Sequence, residues 1–381
     1  MSMRICIIGQ DYPNPLRPSS YVFLQNFAWM AADLGNEVIV ICPLNALRDH
    51  NNKVPHHCEE QTLNKNKVTV YFPKYLGFWY TYRSKRDALA EYTHLKFRKC
   101  IVNTLTETNF TPDVLYAEFL DPAGTSAGML KKKYNCKAIA SFGESSLWTL
   151  SDAHIQKDVA MLNTLNGIES VSTENKRRLL QRGIQSEETI IVLPNSIDPV
   201  RYHKIDQTEA RRMMGFDENA FIVAFLGGFI HRKGILRVEA ATKDIEGIQV
   251  AYAGKGPQKP TAKNTIFAES IPPERVSAFL SAADVFVLPT LNEGCCNAII
   301  EAMACGLPII SSDLPFNDDI LNENNSIRVD PNNVNAIRNA IITLKNDSKM
   351  RSTMGQESLK IAEKLSLRNR VQSVIDFIDS I

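Results

Sequence analysis

The chain has 381 residues, 44% of them hydrophobic, and its 43 basic residues against 42 acidic ones give a formal net charge of +1. That length exceeds one ordinary core and suits two domains of about 150 to 200 residues, while the near-neutral balance argues against a nucleic-acid binder that works by bulk electrostatics. No run approaches the roughly 18 apolar residues of a membrane span or forms a signal peptide, and eight cysteines without a C-x-x-C pair suit reduced thiols in a cytoplasmic protein rather than a disulfide or zinc framework.

Short apolar runs alternate with amphipathic stretches almost from end to end. Arg4–Ile8 reads as a first strand, Tyr21–Leu34 as a helix and Glu37–Cys42 as a second strand. Pro43–Lys67 has no period and reads as a surface excursion. Val68–Phe72 is a strand, about Lys85–Glu107 a long helix, Val114–Tyr116 a strand, about Ala123–Lys133 a helix, and Ala138–Ser141 a strand. Ser170–Ser172 and Ile190–Leu193 complete the first set. After P-N-S-I-D-P (Pro194–Pro199) the pattern restarts with a strand at Phe221–Leu226, a helix from Gly234 to Thr242, and strands at Gln249–Ala253, Val285–Pro289 and Pro308–Ser311. Val334–Leu344 and Lys349–Lys364 are helices, and the amphipathic stretch Leu367–Ile381 can cap either domain. Apolar strands alternating with helices predict two parallel, doubly wound α/β sheets, whose ligands bind at the carboxyl ends of the strands.

The stretch Glu293–Ile310, E-G-C-C-N-A-I-I-E-A-M-A-C-G-L-P-I-I, holds two glutamates eight residues apart among small and apolar residues. A buried carboxylate is costly unless something pairs with it. The stretch follows a strand, so Thr290–Gly294 forms the loop beyond that strand and a helix runs from about Cys296 to Ala304 before C-G-L-P stops it. The amides of Gly294, Cys295, Cys296 and Asn297 are then the unpaired donors of a helix N-terminus, suited to phosphate. Ionised Glu293 and Glu301 accept hydrogen bonds only, which suits vicinal hydroxyls. A sugar, a diphosphate and a ribose follow in that order in a nucleotide-sugar. The residues alone also allow Glu293 to cap the helix and Glu301 to make a surface salt bridge.

This stretch closely resembles the E-x7-E region of retaining glycosyltransferases of family 4, which have the GT-B fold. A-A-D-V-F-V-L-P-T (Ala282–Thr290) resembles that family's lead-in strand, V-L-P-N-S-I-D (Val192–Asp198) its interdomain P-N-G-I-D, and F-L-G-G-F-I-H-R-K-G (Phe225–Gly234) its G-R-x-x-x-x-K-G element. P-D-V-L-Y-A-E-F (Pro112–Phe119) and V-S-T-E-N-K-R-R-L-L (Val171–Leu180) fit as well. The resemblance implies two Rossmann-like domains facing a central cleft, residues 1–198 for the acceptor and 199–366 for the nucleotide-sugar donor, with a helix of about 367–381 packing back on the first. It implies that Glu293 holds the donor sugar's hydroxyls, that Glu301 binds the ribose, and that the amides from Gly294 to Asn297 help bind sugar and phosphate. Lys233 and Arg232 would grip the diphosphate and neutralise the charge it gains on leaving.

Besides Ser196, which stands where the interdomain motif usually has glycine, the sequence departs from the family at three places. Gly228 stands where the family's arginine is usual, so Arg232 is expected to supply that charge. Phe142 in A-S-F-G-E-S-S-L-W (Ala140–Trp148) replaces a common histidine, leaving Glu144 as the nearest polar candidate at the cleft. The loop Gly9–Tyr21 has Ser20 at a usual glycine and lacks G-x-G-x-x-G, which weakens a dehydrogenase reading. Tyr21 ends that loop and is a second cleft candidate; His154 is a lone helical histidine. No D-x-D motif is present, so neither a metal nor any other cofactor is expected.

The expected reaction moves a hexose to a glycan or lipid-linked saccharide with retention, in surface polysaccharide biosynthesis. The acceptor belongs on the first domain. Lys74–Lys99, with seven basic residues (74, 83, 85, 86, 96, 98, 99) against two acidic ones (87, 91) and several aromatics, suits sugars or anionic headgroups at the inner membrane face. A nucleotide-sugar epimerase of the same architecture, or a catalytically silent sugar-nucleotide binding subunit, remain as alternatives.

Overall fold

The computed structural model describes residues 2–49, 53–78, 87–147 and 155–381. The chain forms two compact units, Met1–Leu193 with Arg370–Ile381, and Pro194–Asn369. Each is a Rossmann-like α/β unit built on a parallel sheet, as the alternation of apolar strands and amphipathic helices predicts.

The first sheet has eight strands in the order Ile190–Val192, Gly167–Ser170, Lys137–Phe142, Val114–Glu118, Arg4–Ile8, Glu37–Ile41, Lys67–Tyr71 and His57–Gln61. All neighbours run parallel except the last pair. The central strands are buried along nearly their whole length, which is why they read as continuous apolar runs. His57–Gln61 lies within the stretch that shows no period. It is an edge strand of polar residues, and charges on an edge discourage pairing with other chains. Its Glu60 nonetheless takes hydrogen bonds from Tyr12 Oη at 2.8 Å, Gln25 Nε2 at 2.8 Å and Trp29 Nε1 at 2.7 Å, tying the edge to the first loop and helix.

One expected strand moves. The sequence suggests Ser170–Ser172, whereas the strand is Gly167–Ser170, because Ser172 turns to accept the Asn175 amide at 3.2 Å and caps the helix Thr173–Gln181. The first sheet's switch point falls between Val114–Glu118 and Arg4–Ile8, from which the following strands proceed in opposite directions.

The second sheet has six parallel strands in the order Thr265–Glu269, Ile248–Ala253, Phe221–Leu226, Val285–Leu288, Ile309–Ser312 and Ser326–Val329. Its switch point lies between Phe221–Leu226 and Val285–Leu288. The strands Thr265–Glu269 and Ser326–Val329 are only partly buried, and the sequence pass does not pick them out. Among the described residues no helix is long and apolar enough to cross a membrane. All eight cysteines are free thiols.

The helix Leu367–Ser380 closes the first unit. It buries Val371, Val374, Ile375, Phe377 and Ile378, and its Phe377 ring fills the space that a side chain at Gly167 would need, 2.6 Å from a Cβ built there. Lys137 Nζ donates to Ile378 O at 2.7 Å. Arg370 pairs with the fully buried Glu169, whose other oxygen accepts from Tyr116 Oη at 2.9 Å. Removing one partner of such a pair strands a buried charge and costs about 3–5 kcal/mol. Arg370→Met is therefore expected to destabilise the unit by about that much in urea denaturation, and an unchanged midpoint would show that Glu169 does not depend on it.

Candidate functional site

In the second unit, the two loops that leave the switch-point strands meet. Phe221–Leu226 runs into Gly227–Gly234, and Val285–Leu288 runs into Pro289–Cys296. Backbone bonds stitch them together: Leu291 N donates to Arg232 O at 2.9 Å. Arg237 Nη2 donates to Pro289 O at 2.8 Å. Gly234 has φ +82° and no room for a side chain, since an added Cβ would stand 2.7 Å from Pro289 O. The A-G-K-G-P loop packs equally closely on the other side, with a Cβ at Gly254 only 1.9 Å from Gly227 O.

This packing brings three of the sequence-predicted residues onto one atom. Glu293 Oε1 lies 2.7 Å from Arg232 Nη1, 2.6 Å from Lys233 Nζ and 2.7 Å from Thr290 Oγ1. Glu293 and Thr290 are buried, and Lys233 is largely so. Arg232 Nη1 also reaches Asn292 O. Two cations against one carboxylate leave a local excess of positive charge. It stands just ahead of the helix Asn297–Ala304, whose N-terminal end adds a further positive partial charge. Cys296 is the residue before that helix. Burial pushes its thiol up to about 11 against the pull of Lys233, whose Nζ is 3.9 Å from Sγ, so it is a neutral thiol.

Asn195, in P-N-S-I-D, shapes the same loop. Its Nδ2 donates to Cys295 O at 3.0 Å and to Asn297 Oδ1 at 2.7 Å, and its amide faces Cys295 Sγ at 3.4 Å. Glu301 lies one turn inside the helix. Burial pushes its carboxyl up to about 7, opposed by the charges of Arg201 and Lys233. Thr290, Asn195 and Arg201 escape the sequence reading as site residues. Asn195 and Thr290 stand within quoted motifs, whereas Arg201 carries no local signal. Gly228 sits in the first loop, where an added Cβ would meet only Ile230 at 3.7 Å, an ordinary contact.

The other two candidates belong to the first unit, Tyr21 at its switch point and Glu144 beyond the strand next to it. Tyr21 precedes the helix Val22–Asp33 with φ +52°. Burial and the nearby Glu118, Glu144 and Asp11 carboxyls raise its hydroxyl well above the usual range. Glu144 follows the strand Lys137–Phe142. Burial and the Asp121 charge push it up to about 8 although its own amide pulls it down. Asn175 Nδ2 holds Glu144 O at 2.9 Å, and Arg178 Nη1 holds Ser145 O at 2.6 Å. These bonds give the stretch Val171–Leu180 a role that its resemblance alone leaves open.

In the basic stretch, Lys74 and Lys99 are exposed, Phe78 and Tyr92 stand 6.2 Å apart, and Lys96 Nζ lies 5.0 Å from the Tyr92 ring. Residues 79–86 of that stretch, among them Arg83, Lys85 and Arg86, lie outside the described residues, as do Trp148 and His154. Among the described residues no three His, Cys, Asp or Glu side chains group as a metal site.

Residues 206–361 match the family model described as Glycosyl transferases group 1. TuaC of Bacillus subtilis, named a teichuronic acid biosynthesis glycosyltransferase, is 24% identical over 357 residues, 89% of this chain and 88% of that relative. An Escherichia coli UDP-Gal:alpha-D-GlcNAc-diphosphoundecaprenol alpha-1,3-galactosyltransferase is 27% identical over 213 residues, 50% of this chain and 54% of its own. Among solved structures, sucrose-phosphate synthase from Thermosynechococcus elongatus has a TM-score of 0.77 at 18% identity, covering 99% of this chain and 98% of that one. Fold, matched segment and relatives together support a glycosyltransferase of the GT-B type.

Proposed function

We propose that the chain is a retaining, metal-independent hexosyltransferase of family 4. It moves a sugar from a nucleoside-diphosphate donor to a glycan or lipid-linked saccharide in surface polysaccharide synthesis. The observation that carries this reading is the meeting of Arg232 and Lys233 on Glu293 Oε1 at the helix N-terminus, inside the segment matched by the family model. The names of the two relatives supply the acceptor class, and that of the Escherichia coli enzyme points to a uridine diphosphate donor.

The chemistry follows from the charges. With no donor bound, Glu293 neutralises half of the cationic pair. A diphosphate entering at the helix N-terminus brings its own negative charge, and Arg232 and Lys233 turn partly to it. All three bonds to Glu293 use Oε1, and the sugar hydroxyls are assigned to Oε2. As the glycosidic bond breaks, charge grows on the terminal phosphate, where two nearby cations stabilise it most. The acceptor hydroxyl attacks the face that the diphosphate leaves, and its proton passes to the departing phosphate oxygen. Arg232 and Lys233 thereby do what a divalent cation would otherwise do. The exposed Lys74 and Lys99 are assigned to anionic headgroups at the cytoplasmic membrane face.

Thermal shifts with UDP, GDP and ADP test the donor site. One nucleotide family should raise Tm by several degrees with or without magnesium, and no shift with any of them overturns the reading. Donor hydrolysis, followed with UDP-glucose, UDP-galactose, UDP-N-acetylglucosamine and GDP-mannose, should fall about 100-fold in Lys233→Ala. It should be unchanged by EDTA; loss of turnover on chelation would defeat metal independence. No turnover of any donor by the wild type would favour a silent binding subunit.

Glu301 gives the pH dependence. Its carboxyl titrates near 7, so it is mostly protonated at pH 6 and mostly ionised at pH 8. The ionised form accepts ribose hydroxyls more strongly. Donor affinity should therefore rise with pH, by up to about tenfold over that range, and Glu301→Gln should abolish the slope. An identical slope in the variant would assign the titration to another group.

A further inference from the structure

At the switch point of the first sheet, the loop after Arg4–Ile8 ends at Tyr21, and the loop after Val114–Glu118 begins at Phe119. Three aromatic rings meet there. Tyr21 and Phe23 have centroids 5.2 Å apart, Tyr21 and Phe119 5.6 Å, and Phe23 and Phe119 6.3 Å. Phe23 is 46% exposed, so the cluster has an open apolar face and is not sealed into the core. Tyr21 and Phe119 have φ of +52° and +70°, a region that side-chain-bearing residues avoid. Such conformations are strained and recur where a site requires them.

A polar group stands at the edge of these rings. Phe119 packs on Gly143, with its Cε1 3.5 Å from the place a Cβ would take. The next residue is Glu144, whose Oε2 is buried without a hydrogen-bond partner. A buried polar atom in that condition has lost its water without compensation. A ligand hydroxyl would remove the penalty. The bonds from Asn175 and Arg178 to the backbone of Glu144 and Ser145 fix the loop that carries it.

We propose that Tyr21, Phe23 and Phe119 form a stacking floor for a saccharide ring of the acceptor, and that the Glu144 carboxyl meets that ring's hydroxyls. This rests on the transferase reading above and adds to it the acceptor's contact surface. A pyranose presents an apolar C–H face to an aromatic floor and hydroxyls at its rim, and the cluster offers both partners. A nucleobase would stack equally well, but it brings phosphates, and the neighbouring carboxyls are Asp11, Glu118 and Glu144. Burial raises the Glu118 and Glu144 carboxyls, and Asp11 already holds Arg17 at 2.8 Å, so none of the three offers a phosphate a cation.

Saturation-transfer NMR on the full chain tests this, with methyl glycosides of glucose, galactose, mannose and N-acetylglucosamine as probes. At least one probe should receive saturation from the wild type, about fivefold less from Phe23→Ala, and as much again from Phe23→Trp. Glu144→Leu should weaken the same signal, and Glu144→Gln, which still offers a hydrogen bond, should retain most of it. The UDP, GDP and ADP thermal shifts are recorded on each variant and should not change. If the wild type shows its nucleotide shift but none of the four glycosides is saturated, or Phe23→Ala binds as well as wild type, the stacking floor is overturned. Loss of the nucleotide shift in the wild type overturns the transferase reading instead.

Discussion

A parallel sheet whose connections part company at one pair of neighbouring strands cannot cover the carboxyl ends of that pair. The two loops leaving there travel to opposite faces, and the space between them is left for side chains. Both large sheets of this chain have such a point. In the second unit the parting loops carry Arg232 with Lys233 and Glu293 with Thr290. In the first they carry Tyr21 and Phe119. The chemistry of the two places differs because the loops differ, while the scaffold that exposes them is the same.

The cationic pair shows how such a place stays folded when empty. Two adjacent basic side chains, Lys233 mostly buried, repel each other and lose hydration, and Glu293 answers both costs with one oxygen. The loop glycines make this possible. Gly234 and Gly254 allow backbone to lie on backbone, so cations and carboxylate converge from two loops without intervening bulk. A site built this way holds its own counter-charge ready and releases it when an anion arrives.

Much of this was legible in the sequence, for definite reasons. Strands such as Arg4–Ile8 and Val285–Leu288 are buried along nearly their whole length and announce themselves as apolar runs. Glu293 and Cys296 were singled out because their spacing to a strand end and a helix start fixes where the backbone must carry them, and Lys233 through the resemblance of Phe225–Gly234 to a known element. The rest depended on distance in the chain. Asn195 meets Cys295 and Asn297 across a hundred residues, and Arg201 acts on Glu301 at a similar separation. No local period records such partners. Phe119 and Phe23 were equally silent, because an aromatic residue at a strand end or a helix start reads as core until neighbouring loops are seen to leave it open.

The first unit is discontinuous. It begins with Arg4–Ile8, gives way to the second unit at Pro194, and resumes only at Arg370. A ribosome emits about 5–20 residues per second, so some ten seconds or more separate Leu193 from the helix that carries Arg370 and Phe377. During that interval Glu169 lacks its guanidinium and Gly167 its aromatic cover. The second unit, although later in the chain, has every one of its residues before the first does. Synthesis therefore reverses the usual order, with the N-terminal unit waiting for residues 370–381 to complete it.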